Sequence, residues 1–369
     1  MQTVSAVTGA RRRTAALRLH RDDHTHALRV AATVALPGLV LLLAGRPDLL
    51  IYAVFGSFTG MYGRAVGGRA RTVQQLRGAI LLSAGVAVGV TLSQYGVAAP
   101  VLVAVETVFA VGASLLADRW RLTPAGPFFA ILALGATALM PAALVRPEPA
   151  VALCLATAAA GILIGRIGTA HLPAAAPHAI VRRRESAVHA VRYALAVGGA
   201  GGLALAFGFA NANWAMAAAA VPLAAIDTGA VTGWELRAVL TRAGHRVAGT
   251  YAGLAITAAL LPLNPGPSVL AVVVMALLFP TELFMTRHYA VAIGFFTPLI
   301  MLMTQLGTPM GARELLVARG LDTLIGVAAG VAAATAVRRR PGQPFPAPGT
   351  AASSLSPGAG AGSVAGSIT

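Results

Sequence analysis

The sequence predicts an all-α polytopic membrane protein of about twelve transmembrane helices, arranged as two parallel six-helix repeats. Three observations carry that prediction. The 369 residues are 57% hydrophobic and 11% charged, with a mean hydropathy of +0.76, whereas charged residues make up roughly a quarter of soluble chains. Apolar runs long enough to cross a hydrocarbon core of about 30 Å recur along nearly the whole length. Separated landmarks repeat at a nearly constant offset.

The spans read as 27–44, 48–63, 76–95, 98–117, 126–145, 149–168, 188–210, 213–230, 246–263, 267–285, 288–306 and 319–337. Their connections alternate in character. One set is basic: Arg64, Arg69 and Arg71; Arg119 and Arg121; Arg182, Arg183 and Arg184; Arg237 and Arg242; Arg287. The other set is nearly uncharged, its few cations being Arg46, Arg146 and Arg313. By the positive-inside rule the basic set is cytoplasmic, and an even number of spans puts both termini there. The expected location is the cell membrane. Residues 1–25 form an Arg-rich cytoplasmic tail in which no cleavable leader is expected. Residues 26–170 are the first repeat, 171–187 a cytoplasmic connector, and 188–338 the second repeat. Residues 339–369, rich in Pro, Gly, Ser and Ala, are an expected disordered cytoplasmic tail.

The duplication rests on three landmarks. "HALRVA" (26–31) matches "HAVRYA" (189–194) at an offset of 163. Gly85 and Gly89 return as Gly249 and Gly253, offset 164, and Gly161 and Gly165 as Gly326 and Gly330, offset 165. Six spans in each half insert the same way up, with a pseudo-axis along the membrane normal. The glycine pairs are candidate helix-packing positions, because a small residue every four lets a neighbouring backbone approach closely.

Composition also excludes functions. The net charge is +16, but it is spread over short loops, so a bilayer is the expected partner and nucleic acid is not. All 28 basic residues are Arg. A chain without Lys holds no Walker A lysine and no Schiff-base lysine. The single cysteine, Cys154, allows no intrachain disulfide. No catalytic motif, cofactor or metal site is expected, and the chain is not read as an enzyme.

The stretch "TRAGHRVAGTYAG" (241–253) drives Arg242, His245 and Arg246 into an apolar helix, and these three are expected at headgroup level. Its pattern, Arg-x-x-His-Arg-x-x-Gly-Thr-x-x-Gly, resembles the signature of the fusaric acid resistance family, also called aromatic acid exporters. The "HAxR" entrance of each half and "DLLIYAVFGSFTGMYGR" (48–64) support the resemblance, which covers roughly residues 26–338. It implies export of small aromatic or related organic acids. The six-span unit is more distantly similar to plant malate channels, which implies an anion path between two such units. Two departures stand out: the cytoplasmic connector is short, and the first half has Ile80–Ser83 where the second has His245–Arg246.

Ionisable residues at membrane depth are the candidate functional groups. Arg29 and Arg192, equivalent in the two halves, are candidate cations for a carboxylate, since a guanidinium grips one bidentately; snorkelling to lipid phosphate is the structural alternative. Arg242, His245 and Arg246 are candidate substrate residues at the entrance. Glu106, deep in the fourth span, and Asp227 are candidate proton-coupling residues, with a packing carboxyl and a salt bridge as their respective alternatives. Asp322 reads as interfacial, Glu282 as facing Arg287 or headgroups, and His26 and His189 as polar anchors. The expected partner is a small organic anion, driven by a proton gradient or by membrane potential. The competing reading is a scaffold that binds anionic lipid or a protein and transports nothing. Monomer and homo-oligomer both stay open.

Overall fold

The computed structural model describes residues 21–167, 169, 183–209, 212–227 and 235–337. The tail before 21, connector residues 171–182 and the tail after 337 lie outside the described residues. Among the described residues there are twelve α-helices and no strand. The first six are α1 (Arg21–Leu43), α2 (Leu50–Ser57), α3 (Gly68–Gln94), α4 (Ala99–Trp120), α5 (Phe128–Ala138) and α6 (Pro147–Gly165). The second six are α7 (Arg183–Ala206), α8 (Ala212–Asp227), α9 (Glu235–Leu260), α10 (Pro267–Phe284), α11 (Tyr289–Gly307) and α12 (Ala312–Ala336). Each predicted span has its helix.

Among the described residues nine helices are long and apolar enough to cross a membrane. The other three, α2, α5 and α8, are short and sit inside. Every residue of α2 is buried, as is Phe129–Thr137 of α5 and Ala212–Leu223 of α8. With the mostly buried α11 they form an inner layer, and the long helices around them, α1, α4, α7, α10 and α12 among them, present exposed Leu and Val side chains. A helix of 11 residues rises only about 16 Å, so α5 depends on its neighbours for burial.

Packing partners correspond between the halves. In the first half α3 packs on α5 and α6, and α6 on α1 and α2; in the second α9 packs on α11 and α12, and α12 on α7 and α8. Across the halves, α4 lies against α7 and α1 against α10, while α5 meets α8 and α2 meets α11.

The glycine pairs make these approaches possible. A Cβ on Gly85 would stand 2.6 Å from the Ala130 carbonyl oxygen, and one on Gly253 2.8 Å from that of Gly294. Gly89 meets the Leu134 carbonyl, Gly249 that of Ala290, and Gly326 and Gly330 those of Ala215 and Ala219. Gly161 and Gly165 differ: they press on the side chains of Thr33 and Gln75, while Gly56 meets the Cys154 backbone.

Three helices start well before their predicted spans: α3 at Gly68, α9 at Glu235 and α12 at Ala312. Hydropathy opens a span at the last charge, but Arg is a good helix former, and the helix runs on through its arginines. Arg246 is therefore the twelfth residue of α9, with none of its surface exposed, and is not at a helix entrance.

Candidate anion site

Arg246 and Arg319 define the site. Arg246 comes from α9, and Arg319 is the eighth residue of α12, 3% exposed. The two lie within range of each other's charge. None of the three guanidinium nitrogens of either residue has a hydrogen-bond partner. The Tyr289 hydroxyl is the polar neighbour of the Arg246 guanidinium. Asp322, one turn beyond Arg319 and 1% exposed, is in charge range of it, yet both its oxygens are unpartnered.

The walls are aromatic. The Arg246 guanidinium carbon is 5.3 Å from the centre of the Phe128 ring, and that of Arg319 is 4.4 Å from Trp214. Phe128 belongs to a cluster with Phe58, Phe129 and Phe296, at centroid separations of 5.0–6.3 Å, which joins α5, α11 and the turn after α2. Thr250, one turn after Arg246, and Thr297 on α11 are buried with unpartnered hydroxyls. Cation–π contact eases the burial of a guanidinium but does not replace a counter-charge, and Asp322 is in range of Arg319 alone. The site thus combines two buried guanidiniums, the Asp322 carboxylate and aromatic faces.

The other predicted candidates take different places. Arg242 stacks on Tyr289, its guanidinium carbon 3.4 Å from the ring centre. His245 is exposed and turned away from Arg246. Arg192 is 3% exposed and donates through Nε and a terminal nitrogen to the Val337 carbonyl at 3.1 and 2.9 Å, so it closes the end of α12. Arg29 is partly buried, close enough to Arg71 for their charges to interact. Glu106 is wholly buried on α4 with both oxygens unpartnered. The side chain of Asp227 lies outside the described residues.

His26 and His189 occupy matching seams. His26 on α1 is 3.3 Å from Glu282 on α10, and His189 on α7 is 3.0 Å from Asp118 on α4. Arg287 pairs with Asp23 rather than with Glu282, and Asp23 also holds Arg64, each at 2.6 Å. Asp322, read as interfacial, is instead inside the second half.

Arg319, Trp214 and Asn213 are the residues that the sequence reading missed. Arg319 opens the predicted twelfth span but lies within α12, and Asn213 and Trp214 open the predicted eighth span, whose helix starts at Ala212. The available signal was the Arg319–Asp322 spacing, one helical turn between opposite charges in an apolar run.

Residues 197–333 match the family model described as "Fusaric acid resistance protein-like", a segment that contains Arg246, Arg319, Trp214 and Asp322. The "Uncharacterized membrane protein YvaC" of Bacillus subtilis (strain 168) is 30% identical over 154 residues, 42% of this chain. The chain spans only 23% of that relative's length. No solved structure matches.

Proposed function

With residues 197–333 of the fusaric acid resistance protein-like family as the premise, we propose that this chain exports small organic acids, aromatic carboxylates among them, across the cell membrane. One observation carries the reading: Arg246 and Arg319 are buried within range of each other's charge, and no guanidinium nitrogen of either is hydrogen-bonded. A carboxylate between them supplies Arg246 with the counter-charge that Asp322 offers to Arg319 alone, and a ring lies against Trp214 or the Phe128 cluster. Arginine stays charged in this setting and offers a planar fork.

The basic face is the cytoplasmic one in this proposal, and both termini lie there. Its arginines draw anions to the mouth. Export of a monovalent anion down an inside-negative potential gains about 2.3 kcal/mol per 100 mV. Glu106 is the proton carrier if a proton is exchanged. The six-plus-six arrangement with matching seams supports a path along the pseudo-axis, asymmetric because the paired cations belong to the second half.

The test is benzoate efflux from inside-negative proteoliposomes, compared with acetate and with empty vesicles. Arg246→Gln and Arg319→Gln should each slow benzoate efflux by about tenfold or more, matching the roughly 1.5–3 kcal/mol of a hydrogen bond to a charged group. Equal rates in wild type and both variants would remove the site from the path. Equal rates in protein-loaded and empty vesicles would favour the scaffold.

A further inference from the structure

We propose that Asn213 is the partner of Glu106 in a proton-dependent acid–amide pair that sets the position of Trp214 on the anion site. The inference rests on the reading of Glu106 as proton carrier and is independent of which anion is carried.

Glu106 projects from α4 and Asn213 from the start of α8; they are 0% and 2% exposed. Both reach the same space beside Gly135 of α5. A Cβ on Gly135 would lie 3.0 Å from Glu106 Oε1, 3.1 Å from Asn213 Nδ2 and 2.8 Å from Asn213 Cβ. Glycine at 135 therefore leaves room for the two heads. Glu106 Oε1 and Oε2 and Asn213 Oδ1 have no hydrogen-bond partner. Three unpartnered oxygens in apolar surroundings are costly.

A carboxylic acid and a carboxamide are complementary at two points. Protonated Glu106 donates its O–H to Asn213 Oδ1 and accepts from Nδ2 on its carbonyl oxygen. Ionised Glu106 has no proton to donate, so Oδ1 stays unpaired and one bond at most survives. The proton comes from water and returns to it; no other bond changes. A metal ion is the poorer occupant, because a hard cation takes six or more oxygens and the side-chain acceptors here number three.

Among the described residues no ion pair or hydrogen bond reaches the Glu106 carboxyl. Among the helices packed on α4, α5 carries no titratable residue. On α7, Glu185, His189, Arg192 and Tyr193 lie more than a turn toward the basic end, since Gly198 is the residue beside Thr107. On α3, Arg69, Arg71 and Arg77 belong to its first three turns, also at the basic end. On α8 the titratable residue is Asp227, at the opposite end from Asn213.

Asn213 and Trp214 are consecutive, and they face different sites. Asn213 looks to Glu106, and Trp214 lies under Arg319. Formation of the two-point pair draws the start of α8 toward α4 and shifts the indole against the guanidinium. Proton and anion sites are thereby joined through one peptide bond.

The experiment uses full-length protein in nanodiscs with Trp214 as sole tryptophan (Trp120→Phe, Trp234→Phe), its emission titrated from pH 4 to 10 without anion. Wild type should show one transition. Glu106→Gln, which keeps the volume and pairs with Asn213 as a permanent amide, should hold the low-pH emission throughout. Asn213→Leu should abolish the transition, with retention of helix content by circular dichroism as the folding control. A transition unchanged in either variant, or none in wild type, overturns the pair. Failure of the anion reading would show separately, as benzoate efflux that is indifferent to Arg246→Gln and Arg319→Gln.

Discussion

A lone buried arginine weakens a fold, and two within reach of each other weaken it more. The penalty for an unpaired ion inside protein is several kcal/mol after relaxation. Arg246→Met keeps the length and the apolar packing while removing the charge. The unliganded variant should therefore unfold at a higher temperature than wild type, by the equivalent of about 1–4 kcal/mol. Saturating benzoate should stabilise wild type and leave the variant unmoved, because only a state that binds ligand gains from it. Thermal unfolding in detergent, with and without benzoate, measures both. A less stable Arg246→Met would mean that Arg246 has a structural partner. The sequence identified Arg246 through its motif but misjudged its depth, since hydropathy treats a charge as a boundary. Its one hold on Arg319 was the one-turn spacing to Asp322, and it had none on Trp214, because the pairing of α12 with α8 is a tertiary fact.

Helices are where the sequence was most legible. Twelve apolar runs correspond to twelve helices, and the glycine spacings mark real close approaches, because both follow from local composition. What the runs could not show is which helices are innermost. α5 and α8 are buried because they are short, and short helices fit inside a jacket of long ones. Early starts at α3, α9 and α12 escaped notice for the same reason as Arg246. The glycine approaches make a prediction at this scale. Gly330 lies against the Ala219 carbonyl and the Pro222 ring, both rigid. Gly330→Val should cost about 1–3 kcal/mol or more by forcing α12 off α8, and it should weaken Arg319 contact with Trp214 as well. Gly199, which has open space around it, should accept Ala with little change. Detergent unfolding midpoints of the two variants test the contrast, and equal losses would contradict the packing.

The two halves are joined at seams that match in place and differ in surroundings. Each seam pairs a histidine on the first helix of one half with an acid on the fourth helix of the other: His26 with Glu282, His189 with Asp118. The offsets, 163 for the histidines and 164 for the acids, are those at which the sequence landmarks recur. The first seam is more crowded with charge, because Arg64 and Arg71 act on His26 and Arg64 also donates to the Glu282 carbonyl at 3.3 Å. It is also drier, with side chains 4% and 2% exposed against 11% and 10% at the second. Removing the negative charge at Glu282 leaves a histidine and two arginines facing one another, whereas its removal at Asp118 leaves a pair nearer solvent. Glu282→Gln should therefore destabilise the protein by about 1–3 kcal/mol, the cost of leaving a buried polar group unsatisfied, and Asp118→Asn by less. The pairs have no partner in common, so the double variant should lose the sum of the two within about 0.5 kcal/mol. Chemical unfolding of the four proteins measures this cycle. A double variant no worse than Glu282→Gln alone would mean that opening one seam already opens the other, and the halves would then move as a single hinged body.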